Sequence, residues 1–385
     1  MSSSRSAFMI ALMNQLTSSM TNCYGADNWD SERFGPYKST LKSSLISKLN
    51  GLLAGSLAIV PLTNAPDLDW EKLDRAVEGL SALYELLEDE QSKSTLVQLI
   101  TYRLLGARKV KLSLNNVSYW SQRQQVRKLV KSREGIQVSM PKAVLNHLAL
   151  EEIGYPIELY YTAGGVVSTF MLKQYQYGKS IPPIKVQDSD YVIDAGGGWG
   201  DTALYFAHEA GAQGRVFTFE FTPENLEIFA RNVSMNPLLA TRIELDKRAL
   251  WNVSGEVFDY FSHGPGTSLD NTRHHNNGGA SLQVTTVSID DLVKEKNLPK
   301  LDFIKMDVEG AELNVLKGAE QSIRTFMPRL AISVYHKEND LTEIPEYLNA
   351  LGLGYKFFLD HFTIHNEETV LFARAESTDY TDKSA

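Results

Sequence analysis

The sequence predicts an α/β protein with an open, mostly parallel sheet, closed by a C-terminal β-hairpin and preceded by a mainly helical N-terminal domain. Three observations predict it. Beyond about residue 155, short apolar runs alternate with helical stretches, the pattern of parallel strands linked by crossover helices. The last two apolar runs break that alternation and follow one another directly, as in a hairpin. Before residue 140, apolar side chains recur at helical spacing instead. The expected domains are residues 1–140 and 141–385.

Taken in order, Arg5 and the run Ala7–Met13 faintly resemble a signal peptide, but Gln15-Leu16-Thr17-Ser18 offers no small-x-small cleavage site. An amphipathic helix is expected there. Leu41, Leu45, Leu49, Leu52 and Leu53 fall at helical spacing, as do Trp70, Leu73, Val77, Leu80, Tyr84 and Leu87. Leu96–Leu105 gives a further helix, stopped by Gly106. Tyr191-Val192-Ile193 then reads as a strand, Thr202–His208 as a helix and Val216–Phe219 as a second strand. The next helix opens at Thr222-Pro223, with threonine as N-cap and proline at the first helical position, where its missing N–H costs nothing. Further strands are expected near Ile243–Leu245, at Leu301–Met306 and at Leu330–Tyr335. After a helix around Ile344–Leu351, strands Tyr355–Leu359 and Thr369–Ala373 close the sheet.

Composition narrows the class. Apolar content of 43% and charged content of 22% are ordinary for a globular chain, so disorder is not the default. A net charge of −9 argues against a general nucleic-acid binder, which needs a basic footprint. Cys23 is the single cysteine, which excludes an internal disulfide framework and fits a reducing cytoplasm. The apolar stretch Gly51–Pro61 falls short of the ~20 residues a membrane span needs.

Charge is segregated near the N-terminus. Residues 67–90 hold nine acids against Lys72 and Arg75, whereas residues 103–133 hold nine basic residues and no acid. They read as solvated helix faces that pair within a chain or between chains of a homo-oligomer. The sharper reading is a basic surface for an anionic acceptor such as a nucleotide sugar.

The strongest chemical signal is Val192-Ile193-Asp194-Ala195-Gly196-Gly197-Gly198-Trp199-Gly200-Asp201-Thr202. Glycines leaving a strand and entering a helix let the backbone turn sharply against a ligand. Such a turn alone is weak, since sites for NAD, FAD, ATP and S-adenosylmethionine all use one. Here the glycines fall at 196, 198 and 200, not in the Gly-x-Gly-x-x-Gly spacing of dinucleotide sites. Asp194 at the mouth of the turn would repel a pyrophosphate but favour a sulfonium and an ammonium, which points to S-adenosylmethionine. Asp201 and Thr202 open the helix beyond it. Glu220, at the end of the second strand, can accept bonds from ribose hydroxyls, and Asp246, at the end of the third, can meet the adenine amino group. The plain alternative makes these acids structural caps at strand ends.

With these residues in view, the sequence resembles the FkbM family of methyltransferases. Asp194–Thr202, Phe219-Glu220 and the run Leu301–Glu312, with its Lys-x-Asp-x-Glu-Gly-x-Glu hallmark, carry the resemblance. Val287–Leu292, Ser333–Lys337 and the ending His361-Phe362-Thr363 with Glu368–Ala373 extend it over roughly residues 155–375. The resemblance implies a class I methyltransferase fold (Rossmann-like) and O-methylation, commonly of sugars in polysaccharide, glycolipid or antibiotic pathways.

Roles at the reacting end follow from position. Ligands of open parallel sheets bind at the carboxyl ends of strands, where Asp307 and His336 are expected. Asp307 would face the methionine portion of the cofactor, with Glu309 beside it. His336, with an ordinary pKa near 6.5, would take a hydroxyl proton as general base. Asp307, Glu309 and Glu312, with His336, could instead hold a divalent cation, magnesium or calcium, in an oxygen-rich shell. The alternatives are a dipole role for Glu309 at a helix N-terminus and a buried structural His336. His274-His275, in the glycine-rich loop Gly264–Gly279, reads as part of a lid.

The function expected is S-adenosylmethionine-dependent O-methylation of a small-molecule or glycan acceptor by a cytoplasmic enzyme without a membrane span. Rival readings are an NAD-dependent oxidoreductase and a non-catalytic carbohydrate-binding protein on the same fold. The N-terminal helices are expected to serve oligomerisation or acceptor binding.

Overall fold

The computed structural model describes residues 3–38, 70–139, 144–262, 264, 266, 267, 269 and 281–375. The expected helix around Leu41–Leu53 and most of the loop Gly264–Gly279, including His274 and His275, lie outside the described residues. The chain forms two compact units: residues 1–116 with 363–367, and residues 117–362 with 368–385.

The first unit is helical. Ser3–Met20 is one helix that buries Phe8, Leu12 and Leu16 along a single stripe while Ile10 and Met13 stay exposed, the amphipathic pattern expected. The helix Trp70–Leu86 turns Val77, Leu80 and Leu83 into the core. Asp89 caps the next helix, Glu90–Leu105, by accepting from the Ser92 amide at 2.7 Å, and Gly106 ends it with a left-handed φ of +72°. Segment 363–367 joins this unit through His365, whose Nε2 lies 2.9 Å from Asp30, and through Asn366, which accepts from Arg103 at 3.1 Å.

The second unit is built on a seven-stranded sheet. Its strands are β4 (Tyr191–Ala195), β5 (Arg215–Phe219), β6 (Ile243–Asp246), β10 (Phe303–Met306), β11 (Arg329–Ser333), β12 (Tyr355–His361) and β13 (Thr369–Ala375). Their order is β12-β13-β11-β10-β4-β5-β6. β4, β5, β6, β10 and β11 run parallel; β13 runs antiparallel to both neighbours, so the expected closing hairpin is present. The central strands are apolar and buried almost throughout, as helices on both faces require. One exception is Lys305, in register with Asp194 across the β10–β4 pair.

Two smaller sheets depart from the expected alternation. Strands β1 (Val130–Gln137), β2 (Val144–Ala149) and β3 (Glu158–Tyr161) form an antiparallel sheet in the order β1-β2-β3. Residues 130–137 are therefore a strand, not part of a helical segment. Val-Lys-Ser-Arg-Glu-Gly-Ile-Gln buries little, and such a polar edge strand leaves no clean two-residue period to read. Because β1 pairs with β2 across residue 140, both belong to the second unit, whose boundary falls at 116/117. Strands β7 (Ala249–Leu250), β8 (Val257–Tyr260) and β9 (Leu282–Val287) form the other small sheet, inserted in sequence between β6 and β10.

Candidate active site

A cleft opens beyond the carboxyl ends of β4, β5 and β10, where ligands of open parallel sheets bind. Of the residues the sequence singles out, Gly196, Glu220, Asp307 and Glu309 line it. Asn225, Arg248 and the apolar Phe221, Leu250 and Leu269 complete much of its wall, and none of these stands out in the sequence.

The glycine turn is built as its spacing suggests. Gly196 has a φ of +86°, and a Cβ there would fall 2.0 Å from the Asp307 carbonyl oxygen. Only glycine lets the β4 turn pass so close to the β10 turn. Gly198 is also left-handed, at +48°, but faces open space. Gly200, at +86°, precedes the helix Asp201–Glu209, and a Cβ there would press on the Phe229 ring at 3.0 Å.

Asp194 does not face the cleft. Its side chain is 0% exposed and accepts from Thr202 Oγ1 at 2.9 Å and Thr218 Oγ1 at 2.9 Å, with Lys305 Nζ 3.2 Å away. The expectation that it meets the cofactor's positive charge is corrected: Lys305 supplies that charge from within the sheet. Lys305 also donates to the carbonyls of Ala195 and Gly196, tying the glycine turn to β10. Burial opposes its charge, but Asp194, Asp307 and Asp201 outweigh that and hold its proton more firmly than usual. Asp201 is likewise buried, and Thr169 donates to it at 3.3 Å. Burial pushes its carboxyl up to about 6, against the opposing pull of a Tyr161 hydrogen bond and Lys305. Asp201 and Thr202 therefore support the turn from below.

Glu220 is buried at the end of β5. Its Oε1 accepts from the Phe221 and Thr222 amides and the Thr222 hydroxyl, at 2.6, 2.7 and 2.9 Å. Its Oε2 accepts from Asn225 at 2.9 Å and retains capacity for another donor. Burial raises its carboxyl despite these bonds. Thr222 and Pro223 start the next helix as expected, but the threonine hydroxyl serves Glu220 instead of capping.

Asp246 is bound by Arg248, which reaches it through Nη2 at 2.5 Å and Nε at 3.0 Å. Burial would raise its carboxyl, but the Arg248 bonds outweigh that and lower it. Arg248, not Asp246, lines the cleft, so the expected contact with an adenine amino group is not set up.

At the other end, Asp307 accepts from Tyr175 at 2.8 Å and Tyr335 at 3.3 Å. Glu309 adopts a left-handed φ of +54°, uncommon for a residue with a side chain, just before Gly310 at +94°. Glu312 is 0% exposed; its Oε1 accepts from the Val308 amide and lies against His336 Nδ1, each at 2.9 Å. His336 Nε2 lies 3.4 Å from Asp307 Oδ1 and 3.6 Å from Glu309 Oε2. The structure thus gathers the four residues Asp307, Glu309, Glu312 and His336. Asp307, Glu312 and His336 each offer a ligand atom within 4.8 Å of the others, so a metal ion is chemically admissible.

The expected proton affinity of His336 is not what this setting produces. Burial works against a charged ring, but the Glu312 hydrogen bond and the charges of Glu312, Asp307 and Glu309 prevail, lifting its pKa to about 10. At neutral pH the ring already carries its second proton and has no lone pair with which to act as general base.

Sequence reasoning includes Lys305 and Tyr335 in the motifs of the resemblance without giving either a role, and passes over Tyr175. A signal for Lys305 exists: a lone lysine inside an apolar central strand must find a buried acid. No comparable signal marks the tyrosines.

Residues 186–357 match the sequence profile described as the methyltransferase FkbM domain. The chain is 30% identical over 141 residues to the hexuronic acid methyltransferase AglP of Haloferax volcanii, spanning 37% of this chain and 54% of that protein. It is 24% identical over 221 residues to methyltransferase sdnD of Sordaria araneosa, spanning 50% of this chain and 85% of that one. The crystal structure of methyltransferase FkbM from Methylobacillus flagellatus KT shares its fold, with a TM-score of 0.50 at 19% identity over 79% of this chain and 60% of the other. The second unit accordingly has the class I methyltransferase fold, and its residues 186–357 match the FkbM methyltransferase domain.

Proposed function

We propose that the chain is an S-adenosylmethionine-dependent O-methyltransferase acting on a sugar hydroxyl. The carrying observation is the charge of the cleft. Three acids, Glu220, Asp307 and Glu309, line it, and among the described residues the one basic group there is Arg248, already paired with Asp246 and Glu295. A pyrophosphate would meet those carboxylates unfavourably, whereas a ligand with ribose hydroxyls and cationic groups suits them. The same acids disfavour the nicotinamide oxidoreductase reading.

Bound in this cleft, S-adenosylmethionine supplies an electrophilic methyl group on a sulfonium sulfur. Glu220 Oε2 accepts from ribose hydroxyls, while its saturated Oε1 keeps the carboxylate fixed. Gly196 lets the backbone approach closely. Asp307, held by Tyr175 and Tyr335, favours the cofactor's positive end. Glu309, at the same end of the cleft, accepts a hydrogen bond from the acceptor hydroxyl. His336 keeps the two carboxylates together and is not the base in the cation-free chain.

A sugar acceptor is supported by the similarity to a hexuronic acid methyltransferase. We extend the proposal to acceptors carried as nucleotide sugars, to a cytoplasmic setting, and to self-association or acceptor binding by the first unit. No helix among the described residues is long and apolar enough to cross a membrane. Isothermal calorimetry with S-adenosylhomocysteine and with NAD tests the cofactor, and methyl transfer to a panel of nucleotide sugars tests the acceptor. Binding of NAD without S-adenosylhomocysteine would overturn the reading. Cofactor binding without turnover on any sugar would confine it to the cofactor.

A further inference from the structure

We infer that His336 Nε2, Asp307 Oδ1 and Glu309 Oε2 form a site for one divalent first-row transition ion, with Glu312 orienting the imidazole from behind. The inference relies on the methyltransferase reading only for what the ion is used for, not for its binding.

Spacing comes first. His336 Nε2 stands 3.4 Å from Asp307 Oδ1 and 3.6 Å from Glu309 Oε2. Two ligand atoms each about 2.1 Å from a tetrahedral ion lie about 3.4 Å apart, so each carboxylate stands at bridging distance from Nε2, and Glu309, 31% exposed, would swing toward Asp307 to close the set. The second observation is an orphaned atom. His336 is 9% exposed, and its Nε2 makes no hydrogen bond within the protein. Its Nδ1 is treated differently, lying 2.9 Å from Glu312 Oε1. Glu312 is itself fully buried and anchored by the Val308 amide at 2.9 Å. A carboxylate behind the far ring nitrogen keeps hydrogen on Nδ1, so an ion takes Nε2 by displacing the proton there.

The carboxylates are prepared as well. Tyr175 and Tyr335 fix the orientation of Asp307, and a left-handed backbone carries Glu309 between Asp307 and Gly310. Asp307 and Glu309 also line the cleft, so an ion they hold lies beside the space open to an acceptor. Of the expected group Asp307, Glu309, Glu312 and His336, Glu312 moves to the outer shell and the other three form the inner one. An imidazole ligand also shifts the metal class. Magnesium and calcium favour all-oxygen shells, whereas one imidazole with two carboxylates suits manganese or zinc.

The test uses the full chain, freed of metal by a chelator and titrated with Mn²⁺ while the free ion is followed by electron paramagnetic resonance. One Mn²⁺ per chain is expected. His336→Ala and Glu309→Gln should each weaken binding at least tenfold. Glu312→Gln should weaken it about 10- to 100-fold, as loss of an outer-shell partner does. Glu220→Gln, a cleft acid outside the set, should bind as the wild type does. Should His336→Ala fail to fold, Glu309→Gln carries the test, because its side chain is 31% exposed and tolerates substitution. Absence of Mn²⁺ and Zn²⁺ binding up to millimolar concentration would overturn the inference, as would unchanged binding in Glu309→Gln. Failure to bind S-adenosylhomocysteine, measured separately, would count against the methyltransferase reading and leave the ion result standing.

Discussion

Lys305 Nζ lies 3.2 Å from Asp194 Oδ1 with both side chains sealed from solvent, so the two most central strands of the sheet are joined by a buried ion pair beneath the glycine turn. Removing one partner of such a pair leaves an uncompensated charge, at a cost of about 3–5 kcal/mol. Asp194→Ala and Lys305→Met should each lower unfolding stability by that order in denaturant titrations. The double substitution should recover part of the loss, because no lone charge remains. A large fall in S-adenosylhomocysteine affinity at unchanged stability would instead make Asp194 a direct ligand.

Glu220→Gln should act mainly on the cofactor. Losing a charge-assisted bond to a ribose hydroxyl is expected to cost about 1.5–3 kcal/mol, roughly a 10- to 150-fold weaker dissociation constant by calorimetry. Unaltered affinity would leave Glu220 as a structural cap for the Thr222–Asn225 turn.

The two left-handed glycines separate backbone strain from steric conflict. Gly198→Ala meets open space and should cost about 1–2 kcal/mol, the usual price of a left-handed L-residue. Gly196→Ala adds a collision with the Asp307 carbonyl and should be clearly more destabilising. Equal losses in denaturant titrations would show that the β4 and β10 turns can separate freely.

Asp201 should give stability a particular pH dependence. Its carboxyl is raised to about 6 in the fold from an unfolded value of 3.8. An acid raised on folding contributes stability fully below the unfolded pKa and loses it as pH rises through the folded value. The contribution is therefore present near pH 3.8 and gone above about pH 6, a swing of about 3 kcal/mol at most. Asp201→Asn should accordingly differ from the wild type by an amount that changes across that window and is constant above it. Thermal melts between pH 4 and 8 that run parallel for the two proteins would remove Asp201 from this role.

Much of this architecture is legible along the chain. The parallel strands are short apolar runs with turns between them, and the hairpin is visible because no helix fits between Leu359 and Thr369. The glycine turn and the placement of Glu220 at the end of β5 are legible because each depends on local backbone. Partnership across the sheet is not. Asp194 looks like a ligand until Thr218, 24 residues later, and Lys305 are seen to occupy it. The protonation of His336 depends in the same way on Glu312, 24 residues earlier, and on two further acids that the fold brings together. Strand β1 escaped because a polar edge strand has no strong pattern of its own.

The left-handed backbone at Glu309 sets robustness against use. Glycine at this position would adopt the same conformation freely, so Glu309→Gly should make the fold more stable, by about 1 kcal/mol once the greater freedom of the unfolded chain is subtracted. The same change removes a carboxylate from the cleft. A screen that selects only for heat resistance would therefore drift toward glycine here and produce a hardier protein without that carboxylate. Retaining the acid under such selection requires a second demand, such as methyl transfer.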